Sequence, residues 1–346
     1  HVTVEEHVAP IVEFKAWGAT FNELDWDALG MLTRDEQDEI LKNVFSPEGD
    51  LRISRGRISM NANDYARSWY SCDEVAGDLE LRYFNIDRDK QSIIPFIRAA
   101  QKYNPELTFW TSPWCPPSWM KITGDYPVLS SKFNHMPEKM NYILYGNVND
   151  KVDPDEMKLV GRRGDKFPRQ LATTDYFIQD PRYLQAYANY FCKFIDAYKE
   201  QGVNIDMVIY QNEAYSYTPY PGCAWTAEGT VRFNRDYLGP TLRQKHPEVK
   251  LYLGTFNTNR VDYVQKIVSD TKLQEYVSGM AFQWEGRESL PVLRKEHPEW
   301  NYMCSESECG WGSFDWGAGE HTFELMNHYL GNGCNEYTFW NFILAE

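Results

Sequence analysis

The sequence predicts an α/β chain of the (β/α)₈ TIM-barrel class, and three observations carry that expectation. Eight short apolar or aromatic runs alternate with amphipathic stretches, and strands that alternate with helices imply a parallel sheet. Open doubly wound sheets usually have five or six strands and a glycine-rich first turn. The one GxG here, Gly317-Ala318-Gly319, follows an aromatic loop and lacks the third glycine. The 346 residues show no internal repeat, low-complexity tract or linker, which fits a single unit over residues 1–346; a barrel of this kind takes about 250 residues or more.

The expected strands are 14–19, 56–60, 107–113, 207–213, 251–257, 279–284, 302–306 and 336–342. Between them, helical patterns run over 34–44, 87–103, 181–202, 227–245, 260–269, 289–297 and 322–331. The 87–103 segment carries Ile93, Ile94, Phe96, Ile97 and Ala100 behind Asp87, a plausible N-cap. The 181–202 segment opens on Pro181 after Asp180, sets Tyr187, Phe191, Phe194, Ile195 and Tyr198 on one face and stops at Gly202. Residues 114–180 form a long loop after the third strand, and loops that long are usually functional. Residues 1–13 form an N-terminal extension. The chain opens at His1 without an initiator Met and ends straight after the eighth strand, so a processed piece lacking its eighth helix is expected.

Charge and composition narrow the function. The 35 Lys+Arg against 50 Asp+Glu give a net charge of −15, which repels phosphate backbones and anionic headgroups; nucleic acid and membrane surfaces are not expected partners. No apolar run approaches the roughly 18 residues of a membrane span. The seven cysteines (Cys72, Cys115, Cys192, Cys223, Cys304, Cys309, Cys334) form no CxxC, and the seven histidines show no HExxH or zinc-finger spacing. No metal or cofactor is therefore expected. The acidic stretch 147–153 has Lys151 where a calcium loop wants an oxygen ligand, and no glycine follows. His321 and His328 read as packing or surface residues, and Cys304 and Cys309 as buried thiols. The 12 Trp, 23 Tyr and 18 Phe make up 15% of the chain, an excess expected to lie partly at a surface because each indole N–H needs a partner.

The residues able to do chemistry gather at strand ends. Val208-Ile209-Tyr210-Gln211-Asn212-Glu213 delivers an amide and a carboxylate side by side. Neighbours on a strand point to opposite faces, so both serve one site only where the strand ends and twists. Tyr302-Met303-Cys304-Ser305-Glu306-Ser307-Glu308 ends the seventh run with two glutamates on one face, and a barrel interior admits such groups only at its wet rim. Periodicity does not separate Glu306 from Glu308. Strands four and seven thus face carboxylates across one pocket, the equipment of glycoside hydrolysis; at about 5–5.5 Å they act as nucleophile and acid/base with retention. Aromatic rings suit the C–H faces of a sugar, and amides and carboxylates its hydroxyls. The alternative is a catalytically silent carbohydrate-binding barrel.

At this point the chain resembles glycoside hydrolase family 30, the group of glucosylceramidases, β-1,6-glucanases, β-1,6-galactanases and glucuronoxylanases. Gln211-Asn212-Glu213 is similar to that family's acid/base motif, and Tyr220-Pro221-Gly222-Cys223-Ala224-Trp225-Thr226-Ala227-Glu228 to the segment after it. Ser112-Pro113-Trp114-Cys115-Pro116-Pro117-Ser118-Trp119-Met120-Lys121 resembles the third-strand element, and Arg57 followed by Asp64-Tyr65 the second. Ser305-Glu306-Ser307-Glu308-Cys309-Gly310 resembles the nucleophile motif, and Trp340-Asn341 the eighth-strand pair.

The resemblance implies that Glu213 is the acid/base and Glu306 the nucleophile. It implies that Asn212 bonds the 2-hydroxyl, that Asp64, Trp114, Trp284 and Trp340 line the subsite of the cleaved sugar, and that Arg57 orients or neutralises the nucleophile. Ala214 stands where the family usually has proline, and Glu285 beside Trp284 where glucosylceramidases carry tyrosine, which argues against a glucosylceramide-type pocket. The family's side β-sandwich is expected to be largely absent. In the implied mechanism Glu306 attacks ionised while Glu213 starts protonated, helped by the like charge of Glu306. Once Glu306 is esterified that push vanishes and Glu213 turns to base, giving a bell-shaped pH–rate profile. Polymeric glycans are met outside the cytoplasm, so a secreted, periplasmic or cell-surface location is expected. The sugar and linkage depend on the loops 114–180 and 311–319.

Overall fold

Eight parallel strands hydrogen-bond in sequence order: β1 (Ala16–Phe21), β2 (Arg55–Met60), β3 (Thr108–Pro113), β4 (Ile205–Ile209), β5 (Lys250–Phe256), β6 (Val277–Gln283), β7 (Asn301–Ser307) and β8 (Glu336–Asn341). The last pairs with the first, Ala16 opposite Glu336, and the sheet closes into a barrel. The structure is a computed structural model that describes residues 12–132, 134–136, 174–215, 217–307, 313 and 315–343. The N-terminal extension apart from its last two residues, most of the 114–180 loop, the acidic stretch 147–153, Glu308 and Cys309 lie outside the described residues.

The helices are α1 (Glu23–Gly30), α2 (Arg34–Phe45), α3 (Ile93–Gln101), α4 (Pro181–Glu200), α5 (Ala227–Phe233), α6 (Gly239–Lys245), α7 (Val261–Val268), α8 (Thr271–Gln274), α9 (Leu290–Glu296) and α10 (Trp316–Gly331). Asp180 caps α4 as expected, accepting from Arg182 N at 2.8 Å. Asp87 does not cap α3. A 3₁₀ turn over Asp89–Gln91 precedes that helix, because Asp89 is fully buried and accepts hydroxyl bonds from Tyr70 and Tyr198. That anchor bends the chain at Ser92, whose own hydroxyl goes to Glu23. α10 starts six residues earlier than its apolar pattern, where the Asp315 side chain accepts from Ala318 N at 2.9 Å. β4 ends at Ile209 and leaves Gln211-Asn212-Glu213 beyond the ladder.

The barrel interior is filled from several strands by Trp110, Met207, Ile209, Tyr252, Ala281 and Met303. Arg55 and Arg57, two apart on β2, point to that same interior. Arg55 pairs with Asp206 at 2.7 Å and Glu336 at 2.9 Å, all three at the N-terminal ends of their strands. These ion pairs brace the N-terminal end of the barrel, while Arg57 pairs with Glu306 toward the opposite end. Much of the aromatic excess is internal, since eleven of the twelve largest fully buried side chains are aromatic, nine of them tyrosine, while Trp316, Tyr83 and Phe323 lie exposed at the surface as part of the expected share. Phe177 stacks on Trp225 (5.2 Å between centroids), on Tyr187 of α4 (4.9 Å) and on Phe233 of α5 (6.2 Å), and Trp225 meets Tyr210, just beyond β4, edge-on. The buried indole of Trp225 finds a partner inside, its Nε1 donating to Gln211 Oε1 (3.3 Å), whereas that of Trp110 has none among the described residues.

Asp25 on α1 ties the end of β8 to the barrel, accepting from Asn341 Nδ2 at 3.1 Å and Phe342 N at 3.0 Å. Burial pushes its carboxyl up to about 7, against the pull of those donors. A folded-state pKa above the unfolded one favours folding while the group is protonated, and that contribution is lost as pH rises from about 4 to about 7. Asp25→Asn carries no charge to bury. Its melting temperature relative to the parent is expected to climb across that window and level off above it, in thermal melts at pH 4–8. A difference independent of pH would show that Asp25 does not titrate there.

Candidate active site

The C-terminal ends of the strands bring Asn212 and Glu213 to one mouth by a twist. Asn212 N donates to Pro113 O at 2.7 Å and Glu213 N to Thr255 Oγ1 at 3.0 Å. Between them the backbone turns, and Glu213 takes φ +47°. Left-handed conformations cost non-glycine residues about 1–3 kcal/mol and concentrate at functional sites. Of the five such residues described, three follow strand ends at this mouth: Asn61, Glu213 and Trp284. Thr255 is held there by Gly254, whose φ is +144° and where a Cβ would stand 2.6 Å from Ala281 O. Only glycine lets β5 approach β6 that closely.

Glu306, on the last turn of β7 and 6% exposed, is surrounded by donors. Arg57 Nη1 reaches Oε2 at 2.6 Å, Gln283 Nε2 the same oxygen at 3.2 Å, and Trp284 Nε1 reaches Oε1 at 2.9 Å. Arg57 is fully buried, with its guanidinium carbon 4.4 Å from the Trp114 ring centre. Burial lowers that guanidinium's hold on its proton, and the charges of Glu306, Glu213 and Asp64 oppose the loss. Its Nη2 donates to Asn212 Oδ1 at 2.6 Å and to Ser112 Oγ at 3.0 Å. Asn212 Oδ1 also accepts from Thr255 Oγ1 (3.3 Å) and Gln283 Nε2 (3.2 Å), which commits the other end of that amide, its N–H₂, to a different direction.

The two glutamates meet at Gln283. Its Nε2 lies 2.9 Å from Glu213 Oε1 and 3.2 Å from Glu306 Oε2. Those oxygens are therefore no more than about 6 Å apart, the range in which one carboxylate attacks a sugar carbon while the other serves its leaving oxygen. Trp114 and Trp340 stand with ring centroids 5.3 Å apart and planes at 30°, and Tyr65 meets Trp340 edge-on at 5.5 Å. The site thus unites Arg57, Trp114, Asn212, Glu213, Trp284, Glu306 and Trp340. Asp64 is half-buried and close enough to act on the charge of Arg57. Trp119 belongs elsewhere: its indole donates to Asp73 O and its ring packs on Tyr183. Among the described residues no group of three or more His, Cys, Asp or Glu converges as a metal would need. Gln283, Ser112, Ser305 and Thr255 were not expected in the site. A glutamine closing the buried run Met280-Ala281-Phe282 is the signal that could have found the first.

The sequence matches the Glycosyl hydrolase family 30 TIM-barrel domain over residues 14–132 and 177–345. It is 27% identical over 337 residues to the lysosomal acid glucosylceramidase of Mus musculus, covering 90% of this chain and 56% of that one. It is 24% identical over 284 residues to the endo-1,6-β-D-glucanase neg1 of Aspergillus fumigatus, covering 81% and 50%. The solved structure of the endo-β-1,6-glucanase BT3312 superimposes with a TM-score of 0.74 at 22% identity, over 98% of this chain and 68% of that one. That likeness speaks for the fold. The chain spans about half the length of the curated relatives it matches.

Proposed function

The chain belongs to glycosyl hydrolase family 30, and from that membership we propose that it hydrolyses β-glycosidic bonds with retention, by double displacement through a covalent glycosyl-enzyme. The observation that carries this reading is the single nitrogen, Gln283 Nε2, within hydrogen-bond distance of both Glu213 and Glu306. Glu306, ionised among its three donors, attacks the anomeric carbon. Glu213 gives its proton to the departing oxygen, then removes one from the water that hydrolyses the ester. Arg57 and Trp284 hold the attacking carboxylate in line. Asn212, fixed through its carbonyl oxygen, offers its N–H₂ to the 2-hydroxyl, and Trp114, Trp340 and Asp64 line the subsite of the cleaved sugar.

The names of the relatives, a glucosylceramidase and endo-1,6-β-D-glucanases, make β-linked glucose the first sugar to test. The exposed Glu285 beside Trp284 favours a polar β-1,6-glucan over a lipid glucoside. Such a polymer implies action outside the cytoplasm. The test incubates the protein with β-1,6-glucan, glucosylceramide and xylan, sizes the products and follows the first-formed anomer by proton NMR. Release of the β-anomer from the glucan is the expected result. The α-anomer appearing first would exclude a covalent intermediate, and inertness toward every glycan would leave a binding barrel.

A further inference from the structure

Gln283 has no role in the mechanism just given, yet more of the site's polar atoms meet on it than on any group but Arg57. It closes β6, is fully buried, and its amide is clamped at both ends. Ser305 Oγ donates to its Oε1 at 2.8 Å, while its Nε2 faces Glu213 Oε1 (2.9 Å), Glu306 Oε2 (3.2 Å) and Asn212 Oδ1 (3.2 Å). The reverse orientation would set a carbonyl oxygen against three oxygens, so the nitrogen end is the one the surroundings accept. An amide nitrogen has two protons. The shorter contact takes one, at Glu213, and Glu306 and Asn212 share the other. The charged groups around it are Arg57 from β2, Glu213 beyond β4, Glu306 on β7, and Asp64, which acts on Arg57.

We propose that Gln283 is the positioning residue of the carboxylate pair: one nitrogen donating to both glutamates sets their spacing and decides which oxygen of Glu213 carries the transferable proton. This rests on the reading of Glu213 and Glu306 as acid/base and nucleophile. An N–H only donates, so the Glu213 oxygen it holds is the acceptor oxygen, and the acidic proton sits on the other oxygen, Oε2. That proton leaves with the departing oxygen, the same Oε2 then takes a new proton from the water that attacks the ester, and no rotation of the carboxyl group is needed between the two steps. The donation also stabilises the ionised form of each glutamate. It thereby opposes the repulsion between them, which alone would drive both to bind protons more tightly. Ser305 is part of the device, because it fixes the amide's direction without touching either acid.

The test is a titration that does not depend on turnover. Protein labelled with [δ-¹³C]glutamate is followed by carbon NMR from pH 3 to 9, with Glu213→Gln and Glu306→Gln assigning the two signals. In Gln283→Met, which keeps the length and removes the donor, both midpoints are expected to rise by roughly 0.5–1 unit. Ser305→Ala, the milder variant and the one to rely on should Gln283→Met not fold, is expected to move them in the same direction by less. Both limbs of the pH profile for β-1,6-glucan hydrolysis should follow. Midpoints unmoved in folded variants, with activity reduced equally at every pH, would reduce Gln283 to packing and overturn the proposal. Failure of the functional reading is seen separately. A wild-type protein that never forms an adduct with 2,4-dinitrophenyl 2-deoxy-2-fluoro-β-D-glucoside and cleaves no glycan would sink the assignment of acid and nucleophile, while the titration would still decide whether Gln283 governs the pair.

Discussion

Glu306→Gln is expected to lower glycan hydrolysis by about 10⁴-fold or more and to abolish covalent labelling by a 2-fluoroglycoside. Two separate effects combine. A neutral amide does not attack an anomeric carbon, and it also disrupts the site that holds it. The native carboxylate accepts from Arg57 and Gln283 on one oxygen and from Trp284 on the other. An amide has one accepting end, so its N–H₂ must face either the guanidinium with Gln283 or the indole. At 6% exposure it has no solvent to turn to, and a buried donor set against a donor costs about 1–3 kcal/mol. The variant should therefore be measurably less stable as well as inactive. Glu308→Gln is the comparison: it should keep some turnover and full labelling, read by intact-protein mass. Labelling that survives Glu306→Gln but not Glu308→Gln would move the nucleophile to Glu308.

How far the sequence carried can be seen at particular residues. The eight strands and the closure of the barrel followed from runs of apolar residues, because burial on both faces leaves that signature without help from neighbours. The carboxylates were legible for a similar reason: an acid directly after such a run has only the rim to occupy. The twist that lets Asn212 and Glu213 share a pocket was inferred from the alternation of side chains, and φ +47° at Glu213 is the form it takes. Gln283 was not legible. Its importance comes from four partners at two other strand ends, none nearer in sequence than Ser305, and local pattern carries no record of such convergence. The aromatic count is silent in a related way. Composition does not say whether a ring faces a sugar or a helix, and here tyrosines with bonded hydroxyls, such as Tyr190 against Asn61 and Cys72 N, fill the layer between helices and barrel. The start of α3 failed because Asp89, an acid in a helix-like run, is buried by tyrosines from distant segments.

Glu213→Gln should separate the two halves of the reaction by leaving group. For β-1,6-glucan the departing alkoxide needs a proton, and loss of the acid is expected to lower kcat/KM by about 10²–10⁴-fold. For 2,4-dinitrophenyl β-D-glucoside the leaving group departs unaided. Glycosylation should then proceed near the parent rate, the glycosyl-enzyme should accumulate because no base remains to activate water, and a burst should precede slow turnover. Azide, which needs no deprotonation, should restore turnover and yield the β-glycosyl azide. The geometry adds a condition that a generic acid/base would not. The amide introduced by Glu213→Gln can keep its carbonyl oxygen on Gln283 Nε2, the contact that spans 2.9 Å in the parent, so the fold and the labelling of Glu306 should survive intact. Equal losses on the activated glucoside and the glucan, with no burst and no azide product, would mean that Glu213 positions the substrate and another group carries the proton.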